Sequence, residues 1–91
     1  MQIIVVYDIS ENKRRERLRK VLLRFGNPVQ KSVFECDLTQ RQIEKMERVI
    51  RGMMLPSEDN IRYYKICKMC AGEAEVFGGK PLAETKGAYI V

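Results

Sequence analysis

Asp8 closes the apolar run Gln2-Ile-Ile-Val-Val-Tyr7 and opens a polar stretch that reaches Asn12. An acid at a strand-to-loop junction is held by the sheet yet reaches the surface, the position from which a carboxylate can serve a ligand. One carboxylate is a poor Mg²⁺ site. A two-fold axis beside the strand would bring two copies of Asp8 together, with waters and phosphate completing the octahedron, and such a site could activate water for phosphodiester hydrolysis. An Asx turn leading into a helix accounts for Asp8 equally well. The chain has no histidine, which removes the usual neutral-pH general base and every Ser-His or Cys-His nucleophile pair. No glycine-rich loop joins the first strand to the first helix, so phosphate would have to be held by side chains.

Those side chains are abundant. Lys13, Arg14, Arg15, Arg17, Arg19, Lys20 and Arg24 crowd one segment that holds only Glu11 and Glu16 as acids. On a helical wheel Arg14 and Arg15 lie one turn before Leu18 and Arg19 and lean toward the sheet near Asp8, where they could grip phosphate. Arg17, Lys20 and Arg24 point outward and suit salt-sensitive, sequence-independent contacts to a nucleic-acid backbone. A charge run is more often a solvated face, but the single sign of this one favours binding. The whole chain agrees, with seventeen Lys and Arg against twelve Asp and Glu and a net charge of +5, a balance that favours polyanionic partners.

Other candidates are weaker. Tyr7 and Phe34 could stack on bases, although aromatics in apolar strands are usually core. Cys67-Lys-Met-Cys70 is a lone CxxC with no histidine or second pair beside it, so structural zinc is disfavoured and coincidence preferred. Three sparse cysteines fit reduced thiols, and no run approaches the ~20 apolar residues of a membrane span. A cytoplasmic protein starting at Met1 is expected.

The elements that must position Asp8 can be read from hydrophobic periodicity. Residues 2–7 are too short for a helix and form strand one; Ile3, Val5 and Tyr7 share one face and Ile4 and Val6 the other. Both faces therefore expect protein, and in a chain of 91 residues covering the second face suggests a dimer. Leu18, Val21, Leu22 and Phe25 predict a helix over 11–25, capped by Ser10 or Asn12 and stopped by Gly26. Residues 29–38 alternate as strand, and Lys31-Ser32 divides them into two antiparallel strands. Thr39-Gln-Arg-Gln42 is a capping box that starts a second helix, with Ile43, Met46, Ile50 and Met53 as its buried stripe and an end near Met54 before Pro56. Residues 60–67 read as the last strand of the body. The order β-α-β-β-α-β is an α+β, ferredoxin-like two-layer sandwich over residues 1–70. Residues 71–91 form an arm ending in a short apolar strand, Ala88-Tyr-Ile-Val91, that could add to a sheet edge of its own chain or a neighbour's.

Val5-Val-Tyr-Asp-Ile-Ser10, Lys13-Arg-Arg-Glu-Arg-Leu-Arg-Lys20 and Val29-Gln-Lys-Ser-Val-Phe-Glu-Cys36, in this order, closely resemble the Cas2 family of CRISPR-associated endoribonucleases across roughly residues 1–67. The resemblance implies a ferredoxin-like homodimer with strand faces packed together, a C-terminal strand completing the partner's sheet, and Mg²⁺ between the two Asp8 side chains. It further implies that Tyr7, Arg15, Arg17 and Phe34 stand where some members have residues implicated in nuclease activity. Pro28 departs from the basic residue often found before Val-Gln. Two functions compete within the resemblance. One is a Mg²⁺-dependent nuclease on single-stranded RNA or duplex DNA. The other is a non-catalytic adaptor in spacer acquisition, which bridges copies of the CRISPR integrase and binds the duplex to be inserted. A toxin-type endoribonuclease of the same fold is a remoter alternative.

Overall fold

A computed structural model describes residues 1–78. The elements run β1 (Gln2–Asp8), α1 (Asn12–Leu22), β2 (Gly26–Gln30), β3 (Val33–Asp37), α2 (Gln40–Met53), β4 (Asn60–Ile66) and α3 (Lys68–Gly72). Four antiparallel strands lie in the order β2-β3-β1-β4. That order, with α1 and α2 packed side by side, is the ferredoxin-like sandwich expected from the sequence. The expected terminal strand 88–91 lies outside the described residues. Among those described, no helix is long and apolar enough to cross a membrane.

Alternation along β1 sends Ile3, Val5 and Tyr7 into the core, where Phe34 and Cys36 of β3, Leu18 and Leu22 of α1, and Ile43, Met46 and Ile50 of α2 meet them. Ile4 and Val6 point the other way and are only partly covered. Ile4 stands between Glu35 and Tyr64, and Val6 between Val33 and Arg62. Tyr64 is half exposed in the single chain. One sheet face is thus coated by helices and the other presents an apolar strip with a charged border.

The local signals hold in part. The Thr39 capping box forms reciprocally: Gln42 N–H donates to Thr39 Oγ1 (3.2 Å) and Thr39 N–H to Gln42 Oε1 (2.8 Å). The cap of α1 is neither Ser10 nor Asn12. Glu11 takes the position, its carboxylate accepting from Lys13 N–H and Arg14 N–H at 2.9 Å each. Ser10 instead donates to the Glu58 carbonyl. Gly26 does not cap α1 either. The helix closes through a tight turn, with Arg24 N–H bonded to Val21 O and Phe25 N–H to Leu22 O, so Arg24 and Phe25 fall beyond it. Gly26 begins β2, where a Cβ would lie 2.4 Å from both Cys36 Sγ and the Glu35 carbonyl. Its role is close strand approach. The short helix α3, which the sequence pattern does not announce, runs across the expected start of the arm at residue 71 and ends at Gly72.

Candidate nucleic-acid cleft

Asp8 is exposed at the last position of β1, opposite Asn60 of β4. By strand alternation it shares the side of Ile4 and Val6. It also borders a cleft of about 770 Å³ at the end of the sheet, lined by Tyr7, Asp8 and Ile9 of the β1 end, Arg15, Glu16 and Arg19 of α1, and Pro28 to Ser32 of the β2–β3 hairpin.

Tyr7 fixes the far wall. Its ring is buried beside Phe34, with centroids 6.2 Å apart. Its hydroxyl donates to the Lys31 carbonyl (2.9 Å) and its backbone N–H to the Ser32 carbonyl (3.0 Å). Burial is the main reason its phenol titrates above the usual tyrosine range, so it stays protonated and donating at neutral pH. The hairpin tip is thereby pinned next to Asp8. Phe34, at 0% exposure, supports Tyr7 from behind and has no face open to a base. The residue expected at the chemistry therefore belongs to the core.

Arg15 donates to the Ile9 carbonyl (2.9 Å) and to Asn12 Oδ1, which aims its guanidinium along the β1–α1 loop. Arg19 and Lys31 bring further cations from opposite walls, against Asp8 and Glu16. Planar guanidinium forks and an ammonium around a cleft are suited to phosphate oxygens. Arg17, Lys20 and Arg24 are exposed and lie outside the lining.

Arg14 is elsewhere, which corrects the expectation that it joins Arg15 at the site. Its Nε and one terminal nitrogen donate to both carboxylate oxygens of Asp59 (2.6 and 2.9 Å), and Glu58 lies 3.4 Å away. Asp59 is buried and also accepts from Leu55 N–H at 2.9 Å. Arg14 chiefly holds the Asp59 carboxyl at about 2, and itself titrates above its ordinary value. A phosphate could recruit Arg14 only by leaving a buried carboxylate unpaired. This clamp ties α1 to the turn before β4.

Asp59 and Lys31 are the two working residues that the sequence did not mark. Lys31 read only as part of the break between two strands; its place at the tip of a hairpin beside the end of β1 is the signal that it faces the site.

Within the described residues no three His, Cys, Asp or Glu side chains cluster as metal ligands. In one chain the carboxylates at the cleft are Asp8 and Glu16, so the donor set fits Mg²⁺ once water and a second copy's Asp8 complete the shell. The side of the sheet that Asp8 shares is the one with apolar residues to cover.

The family model for CRISPR associated protein Cas2 matches residues 1–74. The chain belongs to the Cas2 family. A relative from Synechocystis, CRISPR-associated endoribonuclease Cas2 3, is 30% identical over 88 residues, covering 97% of this chain and 96% of that protein. The crystal structure of Streptococcus pyogenes Cas2 at pH 6.5 superposes with a TM-score of 0.75 at 28% identity, covering 86% of this chain and all of the other. A chain in a partial Cas6-RT-Cas1–Cas2 complex superposes with a TM-score of 0.65 at 30% identity, over 91% of this chain and 97% of that one. The Cas2 match contains the whole cleft, since Tyr7 to Ser32 lie inside the matched residues.

Proposed function

We propose that this chain serves CRISPR adaptation as a nucleic-acid-binding homodimer, and that its two Asp8 carboxylates hold Mg²⁺ for phosphodiester cleavage of single-stranded RNA or duplex DNA. The supporting observation is Asp8 itself, exposed at the end of β1 in a cleft that also holds Arg15, Arg19 and Lys31. When bound, the ion supplies charge neutralisation and an activated water. The protein's own part is positional. Arg15, fixed by Ile9 and Asn12, and Arg19 with Lys31 across the cleft orient the phosphate, while Tyr7 keeps the hairpin wall in place. Lys31 lies three residues after Pro28 and puts a cation on the wall where the usual basic residue is missing. The exposed stripe Arg17, Lys20 and Arg24 extends backbone contact beyond the cleft.

A second reading is the adaptor, in which the dimer bridges subunits of the Cas1 integrase and presents duplex DNA without cutting it. It draws support from the Cas1-containing complex in which a structural neighbour sits. The separating experiment compares wild type with Asp8→Ala in Mg²⁺ cleavage and in reconstituted spacer integration. Loss of cleavage on substitution supports the nuclease. Integration by a wild type that cleaves neither substrate supports the adaptor.

A further inference from the structure

We propose that Cys67 and Cys70 form a dithiol exchange site for low-molecular-weight disulfides, with Cys67 as the attacking thiol and Cys70 as the resolving one. Both are exposed free thiols. The Cys67 carbonyl accepts from Ala71 N–H at 2.9 Å, closing one helical turn, and residues three apart on such a turn are neighbours. Cys67 Sγ accepts the backbone N–H of Cys70 at 3.3 Å. A donor directed at sulfur favours the thiolate, the form that attacks a disulfide.

The two thiols are not equivalent. The Cys70 side chain, with its backbone N–H next, lowers Cys67 below the ordinary thiol range, whereas Cys70 is raised by the Cys67 side chain. One sulfur is prepared to attack and its neighbour keeps its proton until needed. Cys36 makes the contrast: buried under the sheet, it is pushed up to about 11, first by burial, and contributes no competing reaction. The CxxC that reads as coincidence in the sequence therefore has the arrangement of a reactive pair.

The exchange balances in two displacements. The Cys67 thiolate attacks one sulfur of RSSR, forming the mixed disulfide Cys67–S–SR and releasing RS⁻. Cys70 then gives up its proton and attacks Cys67 Sγ, forming the Cys67–Cys70 disulfide and expelling the second RS⁻. Two protein thiols are oxidised by two electrons, RSSR is reduced to two thiols, and the two protons lost by the cysteines end on the released RS⁻ groups.

The test incubates the full chain with glutathione disulfide and follows intact mass with peptide mapping. Wild type should lose two hydrogens, retain no glutathione and show Cys67 joined to Cys70. Cys70→Ser, whose hydroxyl keeps a side-chain donor beside Cys67, should accumulate one glutathione on Cys67, and Cys67→Ser should react at Cys70 several-fold more slowly. Stable glutathione adducts in wild type without an internal disulfide, or equal rates in the two variants, would overturn the proposal. Both side chains are exposed, so neither substitution empties core space.

Discussion

Asp59 shows what one buried carboxylate contributes through pH. In the folded chain Arg14 holds it at about 2, while in the unfolded chain it titrates near ~3.9. The folded pKa is the lower of the two, so the clamp's contribution is present above about pH 4 and is lost as pH falls toward 2. Urea midpoints measured from pH 6 to pH 2 should drop more steeply through that window in wild type than in Asp59→Asn, whose side chain does not titrate. Equal slopes would remove the clamp from the acid response. Lys31 belongs to the same scale. Lys31→Ala should weaken duplex binding uniformly across sequences and lower the slope of log K against log salt by about 1; an unchanged slope would show that the hairpin tip touches no phosphate. Asp8 was legible because a strand that ends on an acid announces its position. Asp59 was not, because its partner lies 45 residues away and only the fold brings Arg14 to it.

At the scale of elements, legibility followed the number of residues that repeat a signal. The stripe of α2 and its capping box lie in consecutive sequence and both are found, and Thr39→Ala should cost about 1 kcal/mol by removing the acceptor for Gln42 N–H, read as a lower thermal midpoint. The cap of α1 is hidden because Ser and Asn are better N-caps than Glu, yet the longer Glu11 side chain reaches two amides here. Gly26 signals the wrong property. A glycine after a helical run points to a left-handed cap, whereas this one is required by the approach of β2 to β3. Gly26→Ala should therefore destabilise by about 1–3 kcal/mol through overpacking against Cys36; a neutral result would mean the strands separate without cost. The helix α3 has five residues, too few for periodicity to register.

For the whole molecule, the strongest sequence signal was a strand apolar on both faces. The fold resolves it into a core side and an open side on which Ile4, Val6, Val33 and Tyr64 are partly or half exposed. The homodimer proposed above would close on a face of this composition and bring a second Asp8 to the first. Tyr64→Glu, placed where burial would desolvate a charge, should shift sedimentation from dimer to monomer without unfolding the chain; a variant that sediments as wild type would put the subunit contact elsewhere. The most direct measurement of the proposed paired-carboxylate site is Mg²⁺-dependent cleavage of labelled single-stranded RNA and duplex DNA by wild type and by Asp8→Ala at matched protein concentration. Such a site predicts cleavage by wild type that falls by about 100-fold or more on substitution. Cleavage that survives in Asp8→Ala would contradict it.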